Sequence, residues 1–326
     1  MMSETRPPVR RPIPRLQTVL VVLVAGLLLV AGLWLTLASR TPEPDGLGRG
    51  TIEAGGLTRT YAYHLPASVD GSRPVPLLLA FHGGGGDGAG MAEITHLNAI
   101  ADAHGFLVVY PDGVEKGWAD GGPPRAGRTN ADDLAFVSDL IDALASLWDV
   151  DLRRVYATGI SNGGLFSELL ACRLSDRIAA IAPVAATMIV ELAPTCDPGR
   201  PVPVEILQGT DDWLIPWEGG EVPVSPGRVV LSVNATLATW TGINGCDPEP
   251  DVRYEPELAD DGTRVRREAF GNCTSGADVV LYAVEGGGHT WPGGQQYLPE
   301  VLVGRTTRDL DAGEAMWAFF ANHPMP

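Results

Sequence analysis

Six consecutive residues, Gly159-Ile160-Ser161-Asn162-Gly163-Gly164, carry the clearest chemical signal in the chain. They follow an apolar run, Arg154 to Thr158, that reads as a buried strand. They precede Leu165 to Leu170, which reads as the start of a helix. Strand, Gly-x-Ser-x-Gly, helix is the pattern of a nucleophile elbow, in which a sharp turn lifts the serine oxygen clear of a sheet. Glycines on both sides remove the side chains that would collide in so tight a turn. The helix N-terminus behind the serine offers unpaired N–H groups to a developing negative charge. A serine that only caps a helix would fit the same pentapeptide, so the reading depends on finding partners.

A serine hydroxyl attacks a carbonyl only when a base takes its proton. Of six histidines, His289 alone lies in a late Gly-rich loop, Glu285-Gly-Gly-Gly-His289-Thr-Trp-Pro-Gly-Gly294, directly after an apolar strand. In this chain order an acid should fall between serine and histidine. Gln208-Gly-Thr-Asp211-Asp212-Trp-Leu-Ile-Pro216 follows a strand and offers two candidates, one of which could simply bond the backbone of its turn. The acid would orient the imidazole and stabilise the imidazolium. An oxyanion needs two backbone donors. Asn162, next after the serine, should supply one, and Gly84 within the Gly83–Gly86 run after Phe81-His82 the other. His82 reads as a structural residue of that loop. Together these residues predict acyl transfer from an ester, with no metal or organic cofactor.

The elements that must position these groups alternate along the chain. Apolar strands are expected at Arg59–Leu65 (early and antiparallel), Pro76–Phe81, Phe106–Tyr110, Pro203–Leu207 and Asp278–Val284. Helical spacing runs over Met91–His104, Asp132–Trp148 and Asp309–Asn322, with Asn130 a candidate N-cap for the second. Alternation of this kind predicts an α/β fold with a mostly parallel sheet covered on both faces by helices. Every candidate group falls just after a strand, where such sheets place their chemistry.

The chain has 326 residues, 23 basic against 40 acidic, a net charge of −17. Residues 1–40 hold five Arg and one Glu, so the remainder carries −21, a surface that repels nucleic acid. Residues 1–15 read as a basic cytoplasmic tail. Residues 16–38 run without a charge for about 35 Å of helix, enough to span a bilayer. The arginines should stay inside and the rest be exported. An uncleaved anchor is favoured over a signal peptide, because the apolar core is long and Thr36-Leu37-Ala38 is only a passable cleavage site. Residues 39–50 read as a polar linker and 51–326 as one catalytic domain. Four cysteines, Cys172, Cys196, Cys246 and Cys273, suggest two disulfides in an exported chain, with three pairings open. Their spacing does not suit a metal. Asn234-Ala-Thr and Asn272-Cys-Thr match glycosylation sequons.

From about Leu57 to its end the chain resembles the polyhydroxybutyrate depolymerase and feruloyl esterase group of α/β-hydrolases. The shared strings are Phe-His-Gly-Gly-Gly-Gly at Phe81–Gly86, Tyr-Pro-Asp-Gly at Tyr110–Gly113 and Gly-Trp-x-Asp-Gly at Gly117–Gly121. Asp-Asp-x-x-Phe at Asp132–Phe136, the elbow, the acid loop at Gly209–Pro216 and Gly-Gly-Gly-His-Thr-Trp-Pro-Gly at Gly286–Gly293 complete the set. The resemblance implies the α/β-hydrolase fold, a serine esterase and Asp212 as the acid. It also implies Cys172–Cys196 and Cys246–Cys273 as the disulfides and Trp118 and Trp291 beside the acyl pocket. Gln208 stands where the family often has a histidine, and little effect is expected, because backbone geometry should carry that turn. With no carbohydrate-binding segment recognised, a soluble ester is a better expected substrate than a fibrous polymer. An acyltransferase on the same three side chains, or an inactive membrane-anchored binding protein of this fold, are the rival readings.

Overall fold

The computed structural model describes residues 47–124 and 131–326. The expected helix over 16–38 and the candidate cap Asn130 lie outside the described residues. Among those residues no helix is long and apolar enough to cross a membrane.

Among the described residues twelve strands occur in chain order: β1 (Gly48–Ala54), β2 (Leu57–His64), β3 (Val75–Phe81), β4 (Leu107–Pro111), β5 (Val150–Ile160), β6 (Ala180–Val184), β7 (Val204–Gly209), β8 (Gly220–Glu221), β9 (Val229–Val230), β10 (Asp251–Tyr254), β11 (Arg264–Phe270) and β12 (Val279–Glu285). Ten of them form one sheet in the order β1-β2-β4-β3-β5-β6-β7-β12-β11-β10, while β8 and β9 pair separately. The central strands β4-β3-β5-β6-β7-β12 are all parallel. An antiparallel pair flanks them on each side.

The central strands read as unbroken apolar runs because both of their faces are covered. Along β3, Leu77, Leu79 and Phe81 enter one core and Leu78 and Ala80 the other, as the two-residue period of a strand requires. The first core is covered by α3 (Asp133–Leu147), α4 (Asn162–Arg173) and α5 (Val233–Asn244), through Phe136, Leu140, Phe166 and Trp240. The second is covered by α1 (Gly88–Thr95), α2 (Leu97–His104) and the C-terminal helix α7 (Ala312–Phe320), through Met91, Leu97, Met316 and Phe320. A one-turn helix, α6 (Glu300–Val303), lies between β12 and α7.

Several boundaries differ from the sequence reading. The helix expected over 91–104 is two helices, broken at His96, whose backbone is left-handed (φ 56°). Asp132 caps α3 by accepting from the Ala135 N–H at 3.0 Å. Asp311 caps α7 by accepting from Glu314, so that helix starts later than expected. The linker expected to reach Gly50 gives way to β1 at Gly48, paired in register with β2. Strand order reverses between β3 and β5, the position at whose carboxyl ends an open α/β sheet places its chemistry.

Candidate active site

At the end of β5 the backbone turns sharply. Ser161 has φ 57° and ψ −122°, and its N–H donates to the Val184 carbonyl at 3.0 Å. Such a conformation costs about 1–3 kcal/mol at a non-glycine residue and persists only where its surroundings enforce it. The neighbours do so here. A Cβ at Gly159 would lie 2.7 Å from the Phe81 carbonyl oxygen, and one at Gly163 would lie 2.7 Å from that of His82. The Ser161 carbonyl accepts the first bond of α4, from Leu165, but its hydroxyl does not cap that helix.

The loop after β3 lies beside this turn. A Cβ at Gly83 would sit 3.4 Å from Ser161 Cβ, and one at Gly84 would be 3.9 Å from Asn162 Cβ. The Gly85 N–H donates to Lys116 and the Gly86 N–H to Gly83. Those of Gly84 and Asn162 make no hydrogen bond among the described residues. His82 fixes the loop from below. Its Nε2 accepts from the Gly113 N–H at 3.0 Å, so Nδ1 carries the proton and donates to the Gly83 carbonyl at 2.7 Å. Burial lowers the His82 pKa, which favours this neutral form.

Asn162 is clasped by its side chain. Its Oδ1 accepts from the Trp118 N–H at 2.8 Å, and its Nδ2 donates to the Trp118 carbonyl at 3.2 Å and to Asp120 Oδ2 at 3.1 Å. The Trp118 segment is held in turn by Asp133, whose Oδ2 accepts from the Ala119 N–H and whose Oδ1 pairs with Arg59 at 2.9 Å.

The acid loop follows β7. Asp212 is buried and accepts four hydrogen bonds. Its Oδ1 takes the Leu214 and Ile215 N–H groups, both at 2.9 Å; its Oδ2 takes Gln208 Nε2 at 3.1 Å and His289 Nδ1 at 2.8 Å. A carboxylate only accepts, so Nδ1 of His289 carries the proton and Nε2 is left basic. Both side chains are withdrawn from water, 5% and 0% exposed. Asp211, the alternative acid, is exposed and bonds Thr210 instead.

The loop after β12 is stitched to the acid loop. The Asp211 N–H donates to the Gly287 carbonyl, the Thr210 N–H to Val284, and the Gly286 N–H to Thr210 Oγ1. His289 is held at both ends, its N–H on the Val303 carbonyl and its carbonyl on the Tyr297 hydroxyl at 2.8 Å. Ser161, Asp212 and His289 thus all leave the carboxyl edge of one parallel sheet, from β5, β7 and β12.

Two expectations need correction. Trp118 and Trp291 are 3% and 1% exposed, so neither ring is open to a ligand. Trp118 stacks on Phe166 in the core (5.2 Å between ring centres), and what it gives the site is backbone polarity toward Asn162. Trp291 is enclosed in the opposite core. Gln208 does more than hold its turn, because its buried amide touches both Asp212 and the Ile215 carbonyl at 3.0 Å. The motifs of Asp120 and Asp133 show in the sequence as spacing, but their partners Arg228 and Arg59 are distant along the chain and carry no such signal. Disulfides join Cys172 to Cys196 and Cys246 to Cys273, tying the ends of α4 and α5 to nearby turns.

Residues 59–194 match the family described as Esterase PHB depolymerase. NocK of Nocardia uniformis subsp. tsuyamanensis, assigned as an esterase, is 34% identical over 296 residues, which span 86% of this chain and 84% of NocK. The chain belongs to the PHB depolymerase esterase family. Feruloyl esterase B of Piromyces equi is 30% identical to this esterase over 228 residues, 69% of this chain and 41% of that protein. Among solved structures, the acetyl xylan esterase from Aspergillus awamori superposes with a TM-score of 0.55 at 14% identity, over 84% of this chain and 99% of its own. That likeness shows a shared fold.

Proposed function

We propose that this esterase hydrolyses carboxylic esters through Ser161, His289 and Asp212. The observation that carries the reading is the buried His289–Asp212 pair, 2.8 Å apart, which leaves Nε2 as the ring's free base at the sheet edge that carries the strained serine. In the acylation step His289 Nε2 takes the Ser161 proton as Oγ bonds the ester carbonyl carbon. The carbonyl oxygen becomes an oxyanion held by the N–H groups of Gly84 and Asn162. Loss of one such donor typically costs about 3 kcal/mol of transition-state stabilisation. The C–O bond to the alcohol then breaks, and the alcohol leaves with the proton from His289. Water, deprotonated by the same histidine, attacks the acyl-enzyme and releases the acid and the free serine.

The substrate class follows from the relatives. Feruloyl or acetyl esters, or hydroxyalkanoate oligomers, are the esters to test. A panel of p-nitrophenyl acetate, methyl ferulate and hydroxybutyrate oligomers, run on wild type and Ser161→Ala, decides the matter. The reading expects turnover of at least one ester by wild type and none by the variant; equal slow hydrolysis by both defeats it.

The site of action in this reading is outside the cytoplasm, held by residues 16–38 if that segment is retained. Two disulfides favour an oxidising compartment. Mass spectrometry of the mature N-terminus distinguishes an anchored from a cleaved chain.

A further inference from the structure

Asp120 and Arg228 form an ion pair that the ester-cleaving chemistry does not itself require. Asp120 Oδ1 lies 2.8 Å from Arg228 Nη2, with the two side chains 0% and 6% exposed. Isolating both charges from water carries a desolvation cost, and a packed apolar pair of similar volume would be as stable or more so. The geometry shows what the charges do instead. The Asp120 carboxylate is divided between two loops. Its Oδ1 serves Arg228 and, at 3.3 Å, the Gly122 N–H, while its Oδ2 accepts from Asn162 Nδ2 at 3.1 Å. Arg228 comes from the turn between β8 and β9, where it also donates to the Pro123 carbonyl at 3.1 Å. That hairpin is itself fixed to the segment after β6, through the Val190 N–H on the Val229 carbonyl and a bridge between Ile189 and Val230.

We propose that Asp120, held by Arg228, is a positioning residue for the oxyanion: it locks the amide of Asn162 so that the Asn162 backbone N–H points at the reacting carbonyl oxygen. The proposal rests on the Ser161 reading above and adds a task to it. Asn162 opens α4, where its backbone is the least restrained part of the helix. Three side-chain hydrogen bonds fix it, two to the Trp118 backbone and one to Asp120. The Asp120 contact is the one to a full charge, and it comes from a group anchored on the hairpin rather than on the elbow. Angular precision in that N–H matters more in the transition state than in the bound ester, because the oxygen's negative charge develops only then. Asp120 therefore acts on kcat, through Asn162, without touching substrate.

The test uses the double variant Asp120→Ala/Arg228→Met, which removes both charges of this ion pair together, and Asn162→Ala, which keeps the backbone N–H but removes the whole clasp. Active sites are first counted by titration with a fluorophosphonate, so that rates refer to folded enzyme only. The expected result for both variants is a fall in kcat of roughly 10- to 100-fold with KM nearly unchanged, less than the loss of a whole oxyanion donor. The inhibition constant of a trifluoromethyl ketone, whose adduct with Ser161 carries the oxyanion, should rise by the same factor. The pH profile of kcat/KM should keep its wild-type form. Wild-type kcat per titrated site with unchanged ketone affinity would overturn the proposal, even if the melting temperature falls, since the pair would then serve stability alone. An activity of Ser161→Ala equal to wild type would overturn the underlying serine reading instead, and the two failures are told apart by that control.

Discussion

Replacing Asp212 by Asn is the substitution whose consequence the hydrogen bonds specify most fully. Oδ1 of Asp212 accepts from two backbone N–H groups, Leu214 and Ile215, and must remain an oxygen. The new NH₂ group is therefore forced to the Oδ2 position, where Gln208 Nε2 and His289 Nδ1 both now donate. The Gln208 amide can turn over, because its Oε1 is buried without a partner and can accept from the new NH₂, at the cost of its bond to Ile215. His289 has no such choice. Its Nδ1 must become an acceptor, which moves the ring proton to Nε2 and leaves no lone pair for Ser161. A serine hydrolase with its histidine in that tautomer loses about 10⁴-fold in kcat, or ~5 kcal/mol of barrier. The expected outcome for Asp212→Asn is a loss of that order on p-nitrophenyl acetate, with a melting temperature lowered only by the lost Gln208–Ile215 hydrogen bond, about 1–3 kcal/mol. A kcat within tenfold of wild type would refute the tautomer reasoning.

Gln208→Leu should lower kcat by about tenfold and cost about 1–3 kcal/mol of stability, since it strips a donor from Asp212 and leaves the buried Ile215 carbonyl unpaired; denaturant titration and steady-state rates read both. Each disulfide closes a loop of similar size, with sequence separations of 24 and 27, and in the loop-entropy model each contributes about 3 kcal/mol. Cys172→Ser/Cys196→Ser should therefore melt well below wild type, and equal melting temperatures would count against that model here. Burial pushes the Glu168 carboxyl up to about 8, with its Oε2 accepting from Trp240 Nε1 at 2.6 Å. An acid whose pKa is raised by folding contributes stability that is full below its unfolded value of about 4.5 and is lost as pH rises through about 8. Glu168→Gln keeps an acceptor for Trp240 and does not titrate, so its melting temperature should gain on wild type between pH 5 and pH 8; a constant difference would contradict the burial argument.

The parts of the fold legible in the sequence are those fixed by local pattern. β3, β4, β7 and β12 are short apolar runs ended by Gly or Pro, and covering on both faces makes such runs necessary. β6 is less visible because Pro183 interrupts it; the ring sits where a strand pattern would normally end. β10, the edge strand, and β11 beside it carry charges and resemble loop sequence. The helix break at His96 escapes periodicity, because apolar positions continue in phase across it. In the site, the groups announced by a motif after a strand could be named from spacing alone. Those acting through a distant partner could not. The Gln208 amide acts on Asp212, and Asp120 stands between Arg228 and Asn162, contacts that only the folded chain brings together. Trp118 and Trp291 misled for the opposite reason. An aromatic beside a catalytic motif looks like a ligand platform, but a ring there is equally suited to closing the core under the loop.

In the proposed mechanism Ser161 is the nucleophile, its proton drawn by the His289–Asp212 pair. The most direct test of that mechanism is to treat the esterase with a fluorophosphonate and map the adduct by peptide mass spectrometry. One phosphonylated residue is expected, Ser161, with ester hydrolysis lost in proportion to labelling and labelling greatly slowed in His289→Ala. An adduct on another residue, or full hydrolysis by enzyme labelled at Ser161, would contradict it.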